Sequence, residues 1–172
     1  MTSQAREKLI YQGEMHAMGS EPLKTYLDTL KEPVKFIPPT TACWRGYYGT
    51  WEVIEDVLYL VELKAYLDGY IEVGIDYLFP GKSIVFAHWF TGTARLQVGE
   101  LLYYEHAGYF SVYEKDICLN FENGHLVKTS ERINDPPTEE AMKNSYELPS
   151  VKKQSWIKRQ MNGLMVYIRL RN

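Results

Sequence analysis

The sequence predicts an α+β protein with a dominant antiparallel β-sheet, a strongly curved sheet or partial barrel flanked by N- and C-terminal helices. Three observations predict it. Residues 42–133 carry short apolar or alternating runs separated by turn residues. Helix-start residues stand on either side of that region, followed by helical spacing on the N-terminal side. The composition, 45% hydrophobic and 24% charged over 172 residues, suits one globular domain spanning 1–172 with a sizeable core.

Residues 8–18 read as a strand pair or an extended segment turning near Gly13. Ser20-Glu21-Pro22 opens a helix. Ser20 can cap it, and Pro22 is tolerated in the first turn because its missing N–H has no helical partner there. Leu23, Tyr26, Leu27 and Leu30 follow at helical spacing, and Pro33 and Pro38-Pro39 end the stretch. Within 42–133, Glu55-Asp56 and Asn123-Gly124 are hairpin turns. Strands are expected over 57–63, 84–90, 93–98, 101–105, 108–114, 117–121 and 126–129. Gly92, Gly99-Glu100 and Lys115-Asp116 supply further turns. Thr138 caps a helical segment over 138–160, interrupted at Pro149, and 164–170 reads as a strand rejoining the sheet.

The stretch from Gly46 to Glu52 matches that from Gly108 to Glu114: Gly, two aromatics, two spacers, an aromatic and Glu. Each is followed by an acidic turn residue and a second strand. The match suggests either a duplicated hairpin or the common taste of strands for aromatic and β-branched residues.

Charge narrows the function classes. The formal net charge is -3 and the sequence pI about 5.8, which disfavours general nucleic-acid binding. A basic, aromatic-interleaved C-terminal segment with Lys152, Lys153, Lys158, Arg159, Arg169 and Arg171 keeps a local nucleic-acid site as an alternative. The first residues lack a secretory apolar core, and no apolar run reaches membrane-spanning length. The chain ends without a lipidation box. A cytoplasmic chain with no membrane partner is expected, and Cys43 and Cys118 read as buried free thiols.

Motifs for named chemistry fall short. Gly81-Lys82-Ser83 lacks the upstream glycine of a phosphate loop, since position 76 is Asp76, and strand text follows it. Ser150-Val151-Lys152-Lys153 lacks the companion elements of a Ser-Lys acylation site. The histidines, His16, His88, His106 and His125, show no zinc-ligand spacing, so neither metal nor cofactor is expected. An enzyme reading would use His88 as general base with Glu52 or Glu114 as its carboxylate and Arg45 nearby.

The 14 tyrosines and 4 tryptophans point elsewhere. Tyr47-Tyr48 and Tyr103-Tyr104 each put one ring on the face away from the core, because strand side chains alternate. Aromatic residues on a surface favour interfaces. The expected function is therefore a binding module acting on a protein partner, toxin-neutralising or inhibitor-type. The residues expected to carry it are Trp44, Tyr48, Trp51, Tyr109 and Tyr113. The Trp44-to-Glu52 stretch and the Trp89-to-Gly124 meander loosely resemble small uncharacterised bacterial proteins; the resemblance implies no activity and transfers no site residues.

Overall fold

The computed structural model describes residues 4–103 and 111–135. Within them lie β1 (Glu7–Tyr11), β2 (Glu14–Met18), α1 (Pro22–Leu27), β3 (Tyr47–Ile54), β4 (Val57–Leu67) and β5 (Ile71–Val73). There follow α2 (Ile75–Leu78), β6 (Val85–Phe86), β7 (Gly92–Tyr103), β8 (Val112–Glu122) and β9 (His125–Ile133).

Three two-residue turns organise these strands. Gln12-Gly13, Glu55-Asp56 and Asn123-Gly124 all hold both residues at positive φ, between 48° and 81°. That is the mirror-image turn whose twist matches a right-handed hairpin. It joins β1 to β2, β3 to β4, and β8 to β9 in antiparallel pairs.

The ladders close a circuit. From β3 the order runs through β1, β2, β7, β8, β9 and β4, and β4 pairs with β3 again. Two joints are narrow: β2 meets β7 at Met18↔Leu96, and β4 meets β9 at Val57↔His125. β5 and β6 are short additions to β4. Leu9, Trp51, Leu58, Leu60, Leu96, Leu119 and Phe121 fill the interior. A bulge fits the apolar run of β4 to this interior. Thr50 faces Glu62 while Trp51 faces Leu60, so Val61 has no opposite number. Leu58 and Leu60 before the bulge, and Leu63 and Ala65 after it, are all buried.

The α+β class does not hold. The described chain is predominantly β, and its helices, α1 and α2, are six and four residues long, with no long helix flanking the sheet. Leu23 is buried and Tyr26 and Leu27 pack partly against the core, so the helical stretch caps the sheet instead of forming a layer. Ser20 does not cap α1; its hydroxyl donates to the Thr93 carbonyl at 2.8 Å. Nor is the sheet purely antiparallel. β1 runs parallel to β3 through Lys8↔Thr50, Leu9↔Trp51 and Ile10↔Glu52, which makes it mixed. The helical segment over 138–160 and the strand over 164–170 lie outside the described residues.

Other turns are reassigned by their tertiary partners. No hairpin forms around Gly92: β6 joins β4 and β7 joins β8. Gly99, at φ +86°, lies within β7 where its register against β8 shifts, so it bends a strand instead of ending one. Lys115 and Asp116 lie inside β8. Lys115 bridges to Glu131 at 2.8 Å, and buried Asp116 takes Arg95 at 2.9 Å. Val112–Glu122, where the second matched hairpin is expected to turn, is therefore one continuous strand, and the Gly46–Glu52 likeness does not extend to a repeated hairpin. The 79–82 turn is as expected, with Lys82 N–H donating to the Phe79 carbonyl at 3.0 Å and Gly81 at φ +74°. Cys43 and Cys118 are buried and free. No helix among the described residues is long and apolar enough to cross a membrane.

Candidate functional site

The interior holds a polar cluster where β1 meets β3. Strand alternation sends Glu7 and Leu9 to the same, inner face of β1. The Glu7 side chain is 0% exposed. The Trp51 indole N–H donates to its Oε2. Its Oε1 has no hydrogen-bond partner and faces the Arg45 guanidinium, with Nε at 3.7 Å. Gly49 makes this approach possible. A Cβ there would stand 2.5 Å from Glu7 Oε2 and 2.9 Å from the Trp51 indole nitrogen.

Arg45 draws several segments together. Its side chain is only 9% exposed. Nη1 donates to the Ala5 carbonyl at 2.7 Å and lies 3.8 Å from Glu21 Oε1. The guanidinium carbon sits 5.3 Å from the Tyr47 ring centre and 5.9 Å from that of Tyr48. A cation enclosed by rings and carboxylates keeps favourable electrostatics despite losing water.

Burial pushes the Glu7 acid up to about 8; the Trp51 hydrogen bond and the nearby Arg45 charge oppose that rise without cancelling it. Glu7 therefore holds a proton at neutral pH. Burial also raises the Tyr48 hydroxyl above its ordinary value.

Trp44 adjoins this cluster on the outside. It is 57% exposed. Its backbone N–H donates to Gln4 Oε1 at 3.0 Å, and the neighbouring Ala42 carbonyl accepts from Ala5 N–H at 2.6 Å. With Arg45 on Ala5, these bonds pin the 42–45 segment to the residues just before β1.

Four of the residues singled out in the sequence thus meet here: Trp44, Arg45, Tyr48 and Trp51. Trp51 is fully buried, so it supports the cluster from within instead of facing outward. Tyr113 is half-buried with the Arg6 guanidinium 5.8 Å from its ring centre, and Tyr109 lies outside the described residues. The groups of the enzyme reading have separate surroundings. His88 is exposed and contacts the Phe86 and Trp89 rings. Glu52 is half-buried on β3 opposite Tyr59, and Glu114 accepts from Glu100 N–H at 2.9 Å beside the Gly99 bend. Arg45 faces Glu7 and Glu21.

Glu7 and Glu21 were not legible as site residues. For Glu7 a clue existed: its parity with Leu9 and Tyr11 in a five-residue strand points it inward. Nothing in the local sequence marks Glu21. Among the described residues, no group of three or more His, Cys, Asp or Glu is placed to hold a metal ion. No protein family matches the chain, and neither any curated protein nor any solved structure is similar to it.

Proposed function

We propose that this protein is a binding module that engages a protein partner through the aromatic surface centred on Trp44, in a toxin-neutralising or inhibitor-type role. The observation that supports this reading is an exposed tryptophan on a pinned backbone. Trp44 is 57% exposed, yet its segment is tied to Gln4 and Ala5 by three hydrogen bonds. An aromatic residue on a backbone already fixed leaves little main-chain freedom to lose on binding, and exposed tryptophans are frequent among the residues that dominate interface energetics. Half-buried Tyr48 has its ring centre 5.9 Å from the guanidinium of Arg45, the residue that follows Trp44.

The test is affinity capture from the native host with the full chain, comparing Trp44→Ala, Tyr48→Ala and Tyr113→Ala with the parent. Trp44→Ala is expected to weaken capture of a specific partner at least tenfold, about 1.4 kcal/mol or more. Its thermal stability should stay close to the parent's. Undiminished capture by Trp44→Ala would remove the surface assignment.

A further inference from the structure

We propose that Glu7 and Arg45 form a proton-linked switch that sets how Trp44 is presented, so that pH regulates the binding surface. The inference rests on the reading of Trp44 as the binding residue.

The geometry supplies the coupling. Arg45 follows Trp44 directly in the chain, and its guanidinium is shared between Glu7 Oε1 at 3.7 Å and Glu21 Oε1 at 3.8 Å. The charged groups facing Glu7 are Arg45, from the segment before β3, and Glu21, from the segment before α1. Opposite it β2 contributes Met18, and β3 contributes Gly49 and the Trp51 indole, all uncharged. With the proton on, Glu7 is neutral, and Arg45 keeps its contacts with Glu21 and the Ala5 carbonyl. When the proton leaves, a buried carboxylate appears whose Oε1 has no hydrogen-bond donor. Such a group is costly until a donor reaches it. The nearest cation is Arg45, and closing 3.7 Å to hydrogen-bond length draws the guanidinium inward. That movement pulls on the 2.7 Å bond from Nη1 to the Ala5 carbonyl, and through Arg45 on the adjoining Trp44. Burial sets the change near pH 8, within reach of a mildly alkaline medium.

The experiment is a pH titration from 6 to 10 of the full chain, followed by tryptophan ring 1H–13C NMR. Trp44 is assigned by loss of its signals in Trp44→Phe. Its ring signals are expected to shift with a midpoint near 8, together with those of Trp51. The shift at Trp44 should vanish in Glu7→Gln and persist in Glu21→Gln. Trp44 signals that stay fixed while those of Trp51 titrate would overturn the switch, and the parent chain alone decides this. So would a Trp44 titration that survives in Glu7→Gln. These readings need no partner. A chain that titrates as described but whose capture ignores Trp44→Ala would refute the binding surface and leave the proton-linked movement standing.

Discussion

Replacing Glu7 with Gln keeps the length of the side chain and an acceptor for the Trp51 indole, but removes the ionisable proton. In the folded chain the acid titrates at about 8, against 4.5 for an ordinary glutamate. The folded state therefore binds the proton more tightly than the unfolded chain. Its stabilising effect is fully present below about pH 4.5 and is lost as pH rises through about 8. Each unit of separation is worth about 1.4 kcal/mol. The parent should lose about 3 kcal/mol through this group between pH 4.5 and 7, and about 5 kcal/mol by pH 9. Glu7→Gln should lose none of it. Urea unfolding at pH 4, 5.5, 7 and 8.5 measures both chains, and the difference between them cancels the titrations they share. The expected difference curve rises in favour of the variant from pH 4.5 and flattens above 8. A constant difference across the range would refute the account of Glu7 as a buried, protonated acid.

Three further substitutions test the fold. Gly124→Ala places a Cβ 2.6 Å from the Ala87 carbonyl oxygen at a residue with φ +78°, so a loss of about 3 kcal/mol in urea unfolding is expected; a loss below about 0.5 kcal/mol would contradict the turn geometry. Asp116→Ala removes a buried carboxylate that meets the partly exposed Arg95 at 2.9 Å and accepts from the Asn134 amide at 3.1 Å, and should cost about 2 kcal/mol. Lys115→Ala, one residue away in a more exposed pair with Glu131, should cost less than about 1 kcal/mol by the same measurement. Equal losses would show that burial does not separate the two pairs.

The contrast between Lys115 and Asp116 also shows where reading along the chain stops. Adjacent charged residues between apolar runs look like a turn, and a turn needs nothing beyond local chemistry. Here each residue answers to a different neighbouring strand, Lys115 to β9 and Asp116 to β7. Gly99 is a similar case: its left-handed φ is a local property, but whether it reverses the chain or bends it depends on β8 alongside.

The candidate site divides the same way. Trp44, Arg45, Tyr48 and Trp51 cluster in sequence, so their proximity was legible. Which of them faces out was not, because Trp51 turns inward to meet a carboxylate on β1, 44 residues away. The parallel pairing of β1 with β3 brings that carboxylate in, and a pairing between distant strands leaves no periodic mark on either.

The sequence by itself determined the β-rich centre, the hairpins at Glu55-Asp56 and Asn123-Gly124 and a turn near Gly13, because alternation and turn residues act over a few bonds. Only the tertiary structure decided that the strands close a mixed circuit, that the helices shrink to short caps, and that Glu7 sits protonated beside Arg45. Those outcomes depend on desolvation and on charges held a few ångströms apart by segments far apart in the chain. Local propensity carries no term for either.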